Sequence, residues 1–181
     1  MVEVVKKNTN PLPEFYSSLV KGFHSLLFVN ILSNAGHFRQ IDEPNRGFVG
    51  FGGPDTRSTS AAKFRGTPAS EIEIEVGKAV AVLSGDAVTP LENSILFYQK
   101  FVRIHPFYDA NGRIARLVVS IYLGSHGHRV LWKDLETTKK NQFLKKLNSW
   151  HKREGTPSFE EYLSRLTVFW KQFVISESQL R

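Results

Sequence analysis

The sequence contains no cysteine and only one methionine among its 181 residues. Disulfide bonds and thiolate metal sites are therefore excluded. No stretch approaches the roughly 18 consecutive apolar residues that indicate a membrane span, and the N-terminus lacks the layout of a secretion signal. We therefore expect a cytoplasmic protein with no membrane partner, although export by a dedicated secretion apparatus is compatible with this sequence.

Positive charge exceeds negative charge, and the formal net charge is +7. Much of the excess lies in one segment, at Lys139, Lys140, Lys145, Lys146, Lys152 and Arg153. Such a cluster can attract nucleic acid or nucleotide phosphates. The same segment also carries apolar residues at helical spacing, including Phe143, Leu147 and Trp150, which favours a solvated helix face. We therefore do not expect a nucleic-acid partner.

Helical periodicity dominates the chain and predicts a mainly α fold. Candidate helices cover about 13–34, 91–104, 134–153 and 158–176, the last with Ser158 and Glu161 in capping-box spacing. Residues 36–70 hold six glycines and three prolines, which indicates a hairpin and loops. Alternation over 71–76 is strand-like by period. The length suits one domain over residues 1–181, a compact helical bundle with a small β-hairpin.

The most informative segment is residues 105–116, which read His105-Pro106-Phe107-Tyr108-Asp109-Ala110-Asn111-Gly112-Arg113-Ile114-Ala115-Arg116. Pro106 should end the helix before it, because a residue preceding proline avoids the α region. Apolar residues recur behind the segment at Ile114, Leu117, Val118, Ile121 and Tyr122. This spacing predicts a helix that begins near Asn111 and turns that stripe inward.

The residue types in this segment favour phosphate chemistry. A glycine-containing loop that leads into a helix directs backbone N–H groups at an anion. Arg113 and Arg116 would share one face of the helix, and guanidinium groups match phosphate oxygens bidentately. Asp109 offers a hard oxygen ligand for Mg²⁺ held jointly with phosphates. Because His105 can accept a proton near neutral pH, the segment predicts transfer of a group from a nucleotide.

The segment also resembles the signature of the Fic domain family, HPFx(D/E)GNGRxxR, at eleven of its twelve positions. The exception is Ala110, where the family pattern has glycine. Upstream, 23–28 is similar to the first family helix, and 35–39 is similar to the start of its flap hairpin. The resemblance covers roughly residues 15–125. It implies a Fic-type bundle with a flap over about 36–55, a catalytic loop and helix over 105–123, and C-terminal helices over about 134–176. It also implies that a helix starts at 71–76, which conflicts with the strand-like alternation there, and both alternatives stay open.

The resemblance implies a protein adenylyltransferase that uses ATP and Mg²⁺ to move AMP onto a Ser, Thr or Tyr hydroxyl of a target protein. His105 would be the general base, and Asp109 would hold Mg²⁺. Phe107 would be an apolar anchor for the loop. Phosphates would contact Ala110, Asn111, Gly112, Arg113 and Arg116. Target docking, as a strand added to the flap, would involve His37, Phe38, Arg39, Phe48 and Val49.

Several alternatives stay open at this point. His105 could be a structural histidine, Asp109 a helix cap, and the two arginines surface charges. If position 110 needs a positive φ, alanine costs about 1 kcal/mol there; if phosphate approaches closely, its methyl could change the donor. Other donors would be another nucleotide or a phosphocholine carrier. A non-catalytic module that binds nucleotide or nucleic acid is the remaining class.

Regulation gives a further expectation. Many Fic proteins are restrained by a helix with the pattern (S/T)xxxE(G/N), whose Glu pairs with the second motif arginine. Here only Glu92 and Glu154 precede Asn or Gly, and Val88 and Trp150 replace the Ser or Thr. We therefore expect either a separate antitoxin-like inhibitor or no inhibition by this route, and a free Arg116. A toxin or effector role would fit such a protein.

Overall fold

The computed structural model describes residues 13–40, 50–51, 64–85 and 89–176. These residues form seven α-helices and two antiparallel sheets of two strands each, which confirms the mainly α prediction. In chain order the elements are α1 (Pro13–Phe28), β1 (Gly50–Phe51), β2 (Phe64–Arg65), α2 (Ile72–Ala81), α3 (Pro90–Ile104), α4 (Asn111–Ser125), β3 (His128–Val130), α5 (Trp132–Thr138), α6 (Lys140–His151), α7 (Phe159–Lys171) and β4 (Val174–Ser176). Within the described ranges, no helix has both the length and the apolar character needed to cross a membrane.

Helices α3 and α4 pack against each other at the centre of the bundle. The pair α1 and α2 packs on one side of them, and α6 and α7 pack against α3 on another. Phe97 and Phe101 of α3 and Ile114 and Val119 of α4 have no exposed surface. Because the two central helices are held from several directions, the loop between them at 105–110 has a rigid frame.

Local sequence signals fix both ends of α3. Thr89 and Glu92 form a capping box in which each side chain accepts the backbone N–H of the other, and Pro90 occupies the first turn. At the other end the chain leaves the helix at His105, which is left-handed with φ 54° and ψ 59°. Pro106 makes a helical continuation unfavourable, so the sequence itself directs the turn into the loop at 105–110.

Helix α4 begins at Asn111, as the periodicity predicts. Its buried apolar residues are Ile114, Ala115, Val118, Val119 and Leu123. Ile121, expected on the inward stripe, is 51% exposed. The buried face is therefore rotated by one position from the predicted one, and it includes the small Ala115, which a scan for large apolar residues overlooks.

One expectation in the N-terminal half is wrong, and one conflict that the sequence left open is resolved. The first helix ends at Phe28 instead of near Asn34, and the backbone continues in turns. Residues 72–76 lie in α2, although they alternate like a strand. Ile72 and Val76 are fully buried four residues apart, while Ile74 is 54% exposed. The alternating glutamates and isoleucines thus also satisfy a helical period, and packing selects that solution.

The C-terminal boundaries also differ from the prediction. The helix expected over 134–153 is divided into α5 and α6 at Lys139, whose φ of −134° is not helical. The helix expected over 158–176 ends at Lys171, because the chain then forms β4 and pairs with β3. Ser158 precedes α7 but makes no capping bond. Its hydroxyl instead lies 3.1 Å from that of Thr156.

His151, at the end of α6, should make the fold sensitive to acid. It is 4% exposed, and burial lowers its pKa from 6.5 to about 3. On acidification the unfolded chain therefore takes up a proton at His151 before the folded chain does. The contribution of neutral His151 to the free energy of unfolding is fully present above pH 6.5 and is lost as the pH falls toward 3. In the variant His151→Gln, the dependence of unfolding free energy on pH should weaken by about 1.4 kcal/mol per pH unit in this window. Urea unfolding across the window measures the change, and an unaltered slope would contradict the assignment.

Candidate active site

His105 lies directly after α3, at the start of the loop that leads to α4. Its backbone N–H donates to the Phe101 carbonyl at 3.1 Å, and its Nδ1 lies 3.4 Å from the Val102 carbonyl. Because a carbonyl oxygen only accepts hydrogen bonds, this contact assigns the proton of the neutral ring to Nδ1. The lone pair is then on Nε2, which is the atom able to accept a proton.

Its surroundings keep His105 neutral. Burial lowers the pKa of His105 from 6.5 to about 4, and the positive charge of Arg39 acts in the same direction. The Val102 carbonyl and Asp109 oppose this shift. At neutral pH the imidazole therefore holds no extra proton and can act as a base without first losing one.

Phe107 anchors the loop at 105–110 in the hydrophobic core. It has no exposed surface, and its ring stacks on that of His24 with centroids 3.8 Å apart and planes 11° apart. The Phe38 ring also packs against the Phe107 ring, with centroids 5.1 Å apart. His24 in turn accepts the Gly36 N–H on Nδ1 at 2.9 Å. Helix α1 thus supports the loop at 105–110 through the His24 imidazole.

The Asn111 side chain binds the backbone of Phe107. Its side chain is buried at 4% exposure; Oδ1 accepts the Phe107 N–H at 2.9 Å and Nδ2 donates to the Phe107 carbonyl at 2.8 Å. The amide therefore closes the loop by holding both backbone groups of Phe107. The backbone N–H of Asn111 is among the first of α4, which have no acceptor within the helix.

Ala110 has a left-handed backbone, with φ 65° and ψ 6°, immediately before α4. This is the conformation that a glycine at this motif position would adopt without strain, and for alanine it costs about 1 kcal/mol. Among the described residues, no side chain caps the start of α4. Its first N–H groups, including that of Gly112, can therefore bind an anion.

Both motif arginines are paired with carboxylates. The Arg113 guanidinium donates to Asp109 at 3.1 Å and lies 4.6 Å from the centre of the Phe28 ring. Arg116 forms an ion pair with Glu136 of α5. The expectation of a free Arg116 is therefore wrong, because α5 brings a carboxylate to it. A phosphate would have to compete with both carboxylates.

The two glutamates that sequence analysis examined as inhibitory candidates are engaged elsewhere. Glu92 caps the start of α3, and Glu154 pairs with Arg103 at 3.2 Å. Glu136 gave no such signal, because a Thr and not a Gly or Asn follows it and Trp132 lies four residues earlier. Only the packing of α5 shows its contact with Arg116.

Removing the charge of Glu136 should strengthen nucleotide binding. An exposed ion pair is worth about 0–1 kcal/mol, so Glu136→Gln should lower the dissociation constant of a non-hydrolysable ATP analogue by up to about fivefold. Glu161→Gln is a matched control, since Glu161 also pairs with an arginine, Arg165, at 2.5 Å. Calorimetric titration measures both variants. Equal or weaker binding by Glu136→Gln would show that the pair does not compete with phosphate.

The five residues assigned to target docking differ in their exposure, and two of them lie outside the described residues. Arg39 is 2% exposed, so its side chain is not on a docking surface, which corrects that prediction. His37 is exposed and Phe38 is half-buried. Phe48 and Val49 lie outside the described residues. The short ladder pairs Gly50 with Arg65 and Phe51 with Phe64, so the partner strand lies beyond the expected flap range of 36–55.

Asp109 fits Mg²⁺ only as one ligand among several. Its side chain is 64% exposed, and its two oxygens accept from Ala110 N–H at 2.6 Å and from Arg113. In the described part of the chain no group of three acidic, His or Cys residues could hold a metal. Mg²⁺ commonly binds through one or two carboxylates together with substrate phosphates. The exposed carboxylate beside the phosphate position therefore suits that mode.

Comparison with known proteins agrees with this geometry. The Fic/DOC family profile matches residues 14–123, more than half of the chain. The chain therefore belongs to the Fic/DOC family. A search among curated proteins gives no match.

Solved structures show the same fold. The N-terminal Fic domain of a Bep effector protein from Bartonella sp. AR 15-3 is 17% identical, with a TM-score of 0.65, over 92% of this chain and 74% of that one. BepC from Bartonella tribocorum, solved with bound AMPPNP, is 16% identical with a TM-score of 0.60, over 92% and 77%. A Fic family protein from Desulfovibrio desulfuricans G20 is 22% identical with a TM-score of 0.55. The match covers 86% of this chain but only 46% of the Desulfovibrio protein.

Proposed function

We propose that this protein transfers AMP from ATP to a Ser, Thr or Tyr hydroxyl of a target protein and releases pyrophosphate. The observation that carries the proposal is the neutral His105 imidazole beside the uncapped start of α4, in one loop with Asp109 and Arg113. Family membership supports group transfer to a protein. The AMPPNP bound to BepC from Bartonella tribocorum supports ATP as the donor.

The proposed reaction is a displacement at the α-phosphorus. His105 Nε2 accepts the proton of the target hydroxyl while its oxygen forms a bond to the α-phosphorus. The bond from that phosphorus to the oxygen bridging the α- and β-phosphates breaks, and its electron pair leaves with pyrophosphate. Backbone N–H groups at the start of α4, with Arg113 and Arg116, stabilise the negative charge on the phosphate oxygens. His105 then returns its proton to solvent.

Asp109 would hold Mg²⁺ together with the phosphates, and the ion would neutralise charge on the leaving pyrophosphate. The carboxylate can turn toward a ligand because it is largely exposed. Its Arg113 partner would then be released toward the phosphates, so one rearrangement would supply both contacts. The Ala110 N–H, at 2.6 Å from Oδ1, would keep the carboxylate beside the helix start.

Target binding would use the exposed side of the segment after α1. His37, Phe38 and Gln40 line a cavity of about 300 Å³, with Lys21 and Glu73 on its other side. A peptide that runs beside this segment could add to the short sheet next to it, as in other cases of strand addition. We retain a cytoplasmic location and a separate antitoxin-like inhibitor as parts of this proposal.

Another donor is the second candidate, and the observation that favours it is Ala110, which precedes α4 where the family pattern has glycine. The test is incubation of the purified protein with cell lysate, Mg²⁺ and one donor at a time: ATP, GTP, CTP, UTP or a phosphocholine carrier. The mass added to the modified protein identifies the group transferred. An AMP adduct from ATP is expected. An adduct from a different donor alone would replace the first proposal by the second, and nucleotide binding without any adduct would favour a binding module.

A further inference from the structure

Arg39 makes an unusual set of contacts with the backbone that carries His105. Its Nε donates to the His105 carbonyl at 2.6 Å, and its Nη2 donates to the Ile104 carbonyl at 3.3 Å. Its own backbone N–H donates to the Pro106 carbonyl at 3.0 Å. One residue from the segment after α1 therefore binds three successive carbonyls, at 104, 105 and 106.

These contacts stabilise a backbone that needs support. The last carbonyls of a helix have no partner within the helix, and they form the negative end of its dipole. His105 also has the left-handed conformation, which is unfavourable for a residue other than glycine. A guanidinium supplies several donors in a fixed planar arrangement. It can therefore hold this turn in one geometry while it neutralises the helix end.

A third segment completes the arrangement. Arg39 Nη2 also donates to the Thr67 carbonyl at 2.7 Å, and Thr67 N–H donates to the Ile104 carbonyl at 2.9 Å. Gly66 makes this approach possible. A Cβ at that position would lie 2.9 Å from Arg39 Nη2, 3.0 Å from the Ile104 oxygen and 3.2 Å from the His105 Cβ. Residue 66, directly after β2, therefore fits against the Arg39 guanidinium and His105 only when it is glycine.

We propose that Arg39 is a positioning residue for the reaction: by fixing the left-handed backbone of His105, it sets where the imidazole meets the target hydroxyl. The role of the imidazole in this statement rests on the proposed function, whereas the contact between Arg39 and the His105 backbone does not. Arg39 touches neither nucleotide nor target in this account. It acts through His105, and it connects that residue to the segments on both sides of the flap.

A positioning role and a purely stabilising role of Arg39 predict different effects when the arginine is lost. Loss of a purely structural arginine would lower the unfolding free energy and leave the chemistry of folded molecules intact. Loss of a positioning residue would lower kcat in folded protein and leave the KM for ATP nearly unchanged. It would also raise the pKa of His105, because the positive charge of Arg39 lowers it.

The test compares Arg39→Met and Arg39→Lys with the control Arg165→Met, which removes an exposed arginine from α7. We expect Arg39→Met to lower kcat by on the order of 10²-fold, the effect of a small misplacement of a catalytic group. Arg39→Lys should recover part of this loss, because lysine keeps the charge but cannot donate to the Thr67, Ile104 and His105 carbonyls in the same arrangement. An NMR titration of the His105 ring should show an upward shift in Arg39→Met and a smaller one in Arg39→Lys. The control should match wild type in both measurements.

If Arg39→Met fails to fold, Gly66→Ala tests the same contact, because its methyl would displace the guanidinium from the Ile104 carbonyl while Arg39 remains. A folded Arg39→Met or Gly66→Ala protein with wild-type kcat and an unchanged His105 titration would overturn the proposal. The titration needs no nucleotide. If wild-type protein transfers nothing from any donor, the proposed function fails, while a shifted His105 titration still supports the positioning contact and an unshifted one overturns it.

Discussion

Replacement of His105 by alanine is expected to lower the rate of AMP transfer by about 10²–10⁴-fold, the usual contribution of general-base catalysis. The change removes the only ring nitrogen that the loop presents beside the start of α4. It leaves the backbone contacts of residue 105 in place, since Phe101 and Arg39 bind its N–H and carbonyl groups. ATP affinity should stay within about twofold, because the proposed phosphate contacts come from other residues.

Single-turnover transfer at saturating ATP, together with calorimetric ATP binding, separates these two quantities. His126→Ala is the matched control, because His126 is exposed and its Nδ1 lies 2.8 Å from the Tyr122 carbonyl at the far end of α4. That variant should transfer AMP at the wild-type rate. A His105→Ala protein that still modifies the target as fast as wild type would rule out His105 as the base.

The second large effect is expected from Asn111→Ala, which should lower the free energy of unfolding by about 2–4 kcal/mol. The substitution removes two hydrogen bonds and leaves the N–H and carbonyl of buried Phe107 without these partners. Each buried polar group that loses its partner costs about 1–3 kcal/mol. Because the amide holds residues 107 and 111 together, the start of α4 should also become less well ordered, and nucleotide binding should weaken.

Urea unfolding measures the loss, and two further variants define its cause. Asn141→Ala removes an exposed asparagine from α6 and should change stability by less than about 0.5 kcal/mol. Asn111→Asp keeps an acceptor for the Phe107 N–H but places a carboxylate oxygen against the Phe107 carbonyl, so it should not restore stability. If Asn111→Ala costs no more than Asn141→Ala, the amide does not close the loop as described.

The sequence predicts the centre of the molecule best. The end of α3 near Pro106 and the start of α4 at Asn111 follow from proline chemistry and apolar periodicity, which are local properties of the chain. The same signals fail where packing decides. Residues 72–76 satisfy both a strand and a helix period, and contacts with α1 and α3 select the helix. No proline or glycine in the sequence marks the boundary between α5 and α6 at Lys139.

Whether a site residue can be predicted from the sequence also depends on whether its contacts are local or distant in the chain. The motif identifies His105, Asp109 and the two arginines, and the structure brings these residues together in one loop and helix start. Asn111 could have been recognised as a loop-closing residue, because asparagine side chains often bond to nearby backbone. Arg39 and Glu136 could not, since their partners are far away in sequence: the contact from Arg39 to the His105 carbonyl spans 66 positions. Only the tertiary fold creates such contacts.

The measurement that tests the central claim most directly is transfer from ATP labelled at either the α- or the γ-phosphate, with wild-type protein and His105→Ala in the same lysate and Mg²⁺. Transfer of AMP predicts that wild-type protein adds the α-label to a protein, that it adds no γ-label beyond that in lysate alone, and that His105→Ala adds the α-label at least about 10²-fold more slowly. Transfer of the γ-label would instead show phosphoryl transfer. Equal α-labelling by the two proteins would show that the His105 loop is not the centre of the reaction.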